Sequence, residues 1–194
     1  MKSGEWFDAE YFGHVPVKEH KSNYSRVGGY TDAYAAADQF VPWALEEVKK
    51  RKFKVESVLD VGCAMGATVR EFQKHGLDAQ GIDISAYIID QAPNDIRSSL
   101  MVCGIDDLSE QFPEEKWDLI TSKDVLEHYD TEAQVVNALR TLAAHCKVQV
   151  HVVNTGEYDY QAFGGDQSHG VKLPLARWQE LADEAGAKVI FKAT

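Results

Sequence analysis

The stretch VLDVGCAMG, residues 58–66, decides how the chain folds. A short apolar run that stops on a glycine reads as a buried strand. Gly62 permits a tight turn out of that strand, and Gly66 lets the loop backbone approach a ligand closely. A helix opening after the loop points unpaired N–H groups at whatever negative group a ligand carries. Asp60, the single carboxylate of the run, stands two residues before the turn.

Working outward, the same pattern repeats. Upstream, Phe40, Trp43, Leu45 and Val48 form the apolar stripe of a helix predicted over 38–50. Residues 1–36 carry Tyr11, Tyr24, Tyr30, Tyr34 and the pair Gly28-Gly29, and read as an N-terminal cap of loops and short helices. Downstream, a helix over 66–75 closes at Gly76. A second strand (77–85) leads to a helix that Pro93 ends or interrupts, and strands follow at 99–104 and 116–123. Asp130 and Thr131 can cap the next helix. A fifth strand (147–154), a polar loop (155–172), a helix opened by Pro174 and stopped by Gly186, and one last strand complete the chain. Strands alternating with helices predict a doubly wound, Rossmann-like α/β fold whose sheet is mostly parallel. We expect one structural domain, with 1–50 as cap and helix and 51–194 carrying the sheet and the ligand site. Ligands of such sheets bind outside the carboxyl ends of the strands, at the switch point.

Composition narrows the partners. The chain has 194 residues, of which 44% are hydrophobic and 26% charged, as in a water-soluble globular domain. No run reaches the roughly 18 apolar residues of a membrane span, and the first residues lack the apolar core of a signal peptide. Cys63, Cys103 and Cys146 form no CxxC pair, so neither a disulfide framework nor a zinc site is suggested. A cytoplasmic location, with no membrane partner, is expected. The net charge is −11. Nucleic-acid binding neutralises phosphates, and the basic cluster at 49–54 reads as a solvated helix end complementing the dipole. A small molecule or a protein is therefore favoured as partner over nucleic acid.

Asp83 ends the second strand, 23 residues beyond Asp60, where a carboxylate can accept both ribose hydroxyls of an adenine nucleoside. Taken with that acid, VLDVGCAMGATV resembles the first motif of class I S-adenosylmethionine (AdoMet)-dependent methyltransferases. WDLITSKDVLEH (117–128) resembles the segment of the same family that runs out of the fourth strand. The resemblance spans roughly 55–190 and implies AdoMet as cofactor. It implies that Gly62, Cys63, Ala64 and Gly66 cradle the methionine part, with Asp60 organising the loop or meeting the ammonium group. Asp83 would take the ribose hydroxyls, Ile84 would pack on the adenine, and Ser122 and Lys123 would lie beside the methionine end. The chain departs from the family at three points. Ala64 replaces the middle glycine, a mild change where the backbone is not left-handed. Gly104 falls where an acid usually bonds the adenine amino group, leaving the Ile105 backbone and Asp106 as substitutes. Only one strand fits after Gly186, where the family closes with two, so either the last strand is missing or the chain is truncated before it.

On the acceptor side, His128 and His169 are the candidate general bases, since an imidazole titrates near neutrality. The resemblance adds Glu127 to the acceptor pocket, and Asp166, three residues before His169, is placed to orient that ring. Tyr30 and Arg26 of the cap are expected to touch AdoMet or the acceptor. These histidines and acids do not have the spacing of a recognised zinc signature, so no metal is expected. No Pro-Pro-aromatic motif follows the fourth strand, which argues against methylation of nucleic-acid bases. The reading is methyl transfer to a small molecule, sugar or lipid-like acceptor, at oxygen first and nitrogen next. Its rivals are a non-catalytic AdoMet-binding scaffold or sensor and an NAD-dependent oxidoreductase, the latter disfavoured by G-x-x-x-G spacing.

Overall fold

The computed structural model describes residues 2–16, 21–26, 29–31, 35–155 and 168–194, without the side chains of Asn23 and Arg26. After a 3-10 turn at Gly4–Trp6 come α1 (Asn23–Arg26) and α2 (Ala37–Lys50). The alternation then runs β1 (Ser57–Val61), α3 (Ala67–Lys74), β2 (Asp78–Asp83), α4 (Ala86–Asp90), α5 (Asn94–Arg97) and β3 (Leu100–Val102). It continues with α6 (Leu108–Gln111), β4 (Trp117–Lys123), α7 (Glu132–His145), β5 (Cys146–Val153), α8 (Leu175–Ala185) and β6 (Val189–Ala193). Pro93 interrupts its helix rather than ending it, because α5 restarts directly behind it. Helix α6 escapes sequence reading, since four residues hold too little periodicity to register.

Local chemistry sets the boundaries. Thr131 caps α7 by accepting from the Gln134 amide, and the Gln134 side chain accepts from the Thr131 amide in return. Gly186 ends α8 at φ +68°, a left-handed turn that brings the Ala187 amide back to the Ala182 carbonyl.

The six strands form one sheet in the order β3-β2-β1-β4-β5-β6, and every neighbouring pair is parallel. Beyond Gly186 there is a single strand, β6, and it pairs directly with β5. Side chains alternate across the pleat, so both faces need a cover. Leu59, Val61 and Ile120 pack with Leu139, Leu142, Trp178 and Leu181 on one face. Val58, Leu119 and Val148 pack with Val41, Val69 and Phe72 on the other. Trp178 and Phe72 have no exposed surface, and burying a side chain of the latter kind is worth roughly 1.5–3 kcal/mol. A third cluster lies over the top of the sheet, where Phe7, Tyr11, Phe12 and Tyr30 of the cap close on Ala64 and Ile88. Strand β1 pairs with β2 on one side and β4 on the other, so the chain reverses its direction of travel there and leaves a crevice above the strand ends. No helix among the described residues is long and apolar enough to cross a membrane.

Candidate functional site

The crevice is lined by the loop after β1 (Gly62, Cys63, Ala64), the ends of β1 and β2 and the residue beyond β2 (Asp60, Asp83, Ile84), the first turn of α3 (Thr68), and the last residue of β4 with those that follow it (Lys123, Asp124, Val125, His128). Phe7, Tyr11, Phe12, Tyr24, Tyr30 and Ala35 roof it. The loop is held rigidly. The amides of Gly62 and Cys63 both donate to the Ile82 carbonyl, at 2.8 and 3.0 Å. Gly62 stands at φ +70°, and a Cβ there would lie 2.3 Å from the Val125 side chain. Ala64 also adopts a left-handed backbone, at φ +47°. That conformation costs a non-glycine residue about 1–2 kcal/mol, so the replacement of the family's glycine is not mild.

Asp83 joins the loop to the second strand. One carboxylate oxygen accepts from the Ala64 amide at 3.0 Å and the other from the Ser85 amide at 2.8 Å. Each oxygen keeps acceptor capacity beyond its backbone bond, and the group borders the crevice. Burial raises its pKa to about 6, against the opposing pull of those two amides. Asp60 accepts from the Thr121 hydroxyl at 2.7 Å. Burial pushes it up to about 7, and the neighbouring charge of Asp83 adds to the rise. Two carboxyls raised by burial at one strand-end crevice mark it as a candidate ligand site.

Past β4 the chain makes a strained exit. Asp124 has φ +56°, and its carboxylate takes the Lys123 ammonium at 2.6 Å. Leu126–His128 then forms a 3-10 turn. The His128 ring stands edge-on to Phe7 at 5.4 Å and to His169 at 4.9 Å between centroids. The roof is fixed from the other side, where the Ser85 hydroxyl donates to the Phe7 carbonyl at 2.5 Å. His14 bridges the Tyr87 hydroxyl and the Tyr30 carbonyl. Among the described residues no group of three or more His, Cys, Asp or Glu is disposed to hold a metal.

The sequence matches a family described as methyltransferase domain over residues 33–188. The chain belongs to that family. A methyltransferase from Archaeoglobus fulgidus, described as SAM dependent, superposes with a TM-score of 0.58 at 18% identity, covering 76% of this chain and 68% of that one. The plantazolicin methyltransferase BpumL gives 0.59 at 19%, covering 76% and 61%. An S-adenosylmethionine-dependent methyltransferase from Clostridium acetobutylicum gives 0.48 at 19%, and there the match spans only 44% of the other chain. No curated protein sequence matches. The fold of the methyltransferase domain is thus the class I type, and the cofactor that goes with it is AdoMet. The crevice suits that cofactor: a buried acid with spare acceptor capacity at the end of β2, a tight loop after β1, and a second acid beside Lys123.

Of the residues expected at the site, Tyr30, Asp60, Gly62, Cys63, Ala64, Asp83, Ile84, Lys123 and His128 line the crevice. Others do not. The bare face of Gly66 is turned into the core, where a Cβ would meet Leu100 at 2.9 Å and Ile96 at 3.1 Å. Its glycine serves helix-to-sheet packing. Ser122 is fully buried, and its hydroxyl lies 2.7 Å from His151 Nδ1 inside the sheet. Gln149 donates to the Leu139 carbonyl, so its oxygen accepts from His151 Nε2, and His151 Nδ1 must accept from Ser122. Ile105 is buried away from the crevice, and Asp106 is exposed and accepts from the Tyr129 hydroxyl at 3.2 Å. Glu127 is buried behind the turn instead of lining the pocket. His169 meets the site through His128. The side chain of Arg26, and all of Tyr34 and Asp166, lie outside the described residues. Sequence reasoning missed Thr68, Asp124, Val125, Phe7, Tyr11 and Phe12. For Asp124 a signal existed, because Asp is among the few non-glycine residues that tolerate a left-handed exit from a strand.

Proposed function

We propose that this domain transfers the methyl group of AdoMet to a small-molecule acceptor, at oxygen or at nitrogen. The observation that carries the reading is Asp83, bonded to the Ala64 and Ser85 amides while facing the same crevice as His128. Asp83 would hold the ribose hydroxyls and Ile84 the adenine face. The loop from Gly62 to Ala64, with Asp60 and Lys123, would hold the methionine part. When bound, AdoMet supplies an electrophilic methyl carbon. The chain's own residues orient the acceptor, and the aromatic roof excludes water. His128 accepts the acceptor's proton where that group is a hydroxyl, with His169 as the alternative base. The net charge of −11 supports a small molecule over nucleic acid. One protein of this fold, BpumL, was solved with a monoazolic desmethylPZN analog and S-adenosylhomocysteine, which supports a small acceptor.

A second reading, an AdoMet-binding scaffold, draws on the adenine end, where Asp106 is engaged by Tyr129 and no acid after β3 lines the crevice. An acceptor panel with methyl-labelled AdoMet separates the two. Release of S-adenosylhomocysteine with one acceptor class supports the enzyme. Tight cofactor binding with no release across hydroxyl and amine acceptors supports the scaffold.

A further inference from the structure

We propose that Glu127 is the positioning residue of the acceptor side: it ties the outlet of β5 and the 168–171 segment to one 3-10 turn, and so sets His169 against His128. The assignment of that side to an acceptor rests on the methyltransferase reading; the geometry of the tie does not.

Glu127 has no exposed surface. Its side-chain Oε1 accepts from the amide of Asn154, the first residue beyond β5, at 3.0 Å. Its main-chain carbonyl accepts from the amides of Gly170 and Val171, at 2.9 and 3.1 Å. One residue therefore holds two segments that are far apart in sequence, and the next residue in the chain is His128. The fit is close. A Cβ on Gly170 would lie 2.4 Å from the Tyr129 carbonyl oxygen, so the 168–171 backbone passes directly against the turn. With that backbone fixed, the His169 ring stands 4.9 Å from His128.

The remaining carboxyl oxygen, Oε2, is buried and has no hydrogen-bond partner among the described residues. A bare carboxylate there would be costly. Burial first, and the charge of Asp124 second, push the group well above the usual carboxylate range, toward the protonated form. The charges it feels are Asp124 and, in opposition, Lys123, both at the end of β4. The imidazoles of His128 and His169 belong to the turn and to the facing segment. A neutral carboxyl still offers Oε1 to the Asn154 amide, and glutamine would offer the same acceptor without ionising.

The test is residue-resolved amide exchange on the full chain for wild type, E127Q and E127A, with imidazole NMR signals and AdoMet titrations alongside. E127A keeps the main-chain carbonyl and removes the bond to Asn154. It should speed exchange at Asn154 by tenfold or more, loosen the turn enough to speed Gly170 and Val171 as well, and shift the His128 and His169 signals, while the amides of β1 and β2 and the AdoMet affinity stay within twofold. E127Q should restore both the protection and the imidazole signals. E127D, whose shorter side chain does not reach the Asn154 amide from the same backbone, should speed exchange at Asn154 as E127A does, and it takes the place of E127A if that variant does not fold. Unchanged protection in E127A, loosening spread over the whole sheet, or an E127Q that behaves like E127A would overturn the proposal. Wild type that shows the predicted exchange pattern yet binds no AdoMet would sink the cofactor reading and leave the tie intact.

Discussion

The amide of Ala64 donates to the carboxylate of Asp83 at 3.0 Å, so the turn after β1 and the acid ending β2 form one rigid unit. The proposed cradle and the acid proposed for the ribose are thereby pre-set relative to each other before any ligand arrives, which lowers the ordering cost of binding.

Asp83→Ala removes both the proposed ribose acceptor and the anchor of the Ala64 amide. AdoMet affinity should fall by roughly 1.5–3 kcal/mol, the scale of hydrogen bonds to a charged group. Calorimetry checks the affinity, and circular dichroism checks that the fold survives. An unchanged affinity removes Asp83 from the site.

Substitutions at Ala64 should be asymmetric. Glycine relieves the φ +47° strain but loses a buried methyl, and should stay within about 1 kcal/mol of wild type. Valine cannot adopt that backbone without greater strain and should cost about 2 kcal/mol or more. Thermal unfolding reads both, and a valine variant as stable as wild type contradicts the left-handed assignment.

Acidity should modulate cofactor binding in a definite direction. Asp83 and Asp60 sit at about 6 and about 7, above their unfolded values, chiefly through burial. The folded apo chain therefore holds protons that the unfolded chain releases, and its stability declines as pH rises from about 4 to 7. A ligand that brings hydroxyl donors to Asp83 and a cation near Asp60 favours the ionised forms. Affinity for AdoMet should strengthen as pH rises through 6 and 7, with protons released on binding. Calorimetry at about pH 6 in two buffers of unlike ionisation enthalpy measures that release; no proton release there would refute the assignment.

His128→Ala and His169→Ala should each spare AdoMet binding. Once an acceptor is in hand, loss of the working base should slow turnover by about 100-fold or more. His128 lines the crevice and His169 meets it through His128, so the larger loss is expected at His128. Equal, small losses would mean that the acceptor needs no base.

The six strands were legible as apolar or alternating stretches closed by glycine, acid or turn chemistry, and alternation with helices forces parallel pairing. Asp60, Gly62 and Asp83 were legible for the same reason, since the fold places strand ends at the site. What stayed hidden depends on relations between distant segments. Ser122 faces His151 because the two are register partners on β4 and β5, a pairing no linear pattern reveals. Gly66 looked ligand-facing until Leu100 and Ile96 stood against it. Alanine ordinarily favours right-handed backbone, so only its standing in place of the family's glycine hinted at the φ of position 64. The roof residues Phe7, Tyr11 and Phe12 follow no helical or strand period, and only their packing on Ala64 and Ile88 gives them a place.

The strand order β3-β2-β1-β4-β5-β6 is also that of dinucleotide-binding sheets, so the ligand itself must decide. Parallel calorimetric titrations of the full chain with AdoMet and with NAD make that decision. The account predicts saturable binding of AdoMet, weakened in Asp83→Ala, and no measurable heat with NAD. Binding of NAD in preference to AdoMet, or of neither, contradicts it.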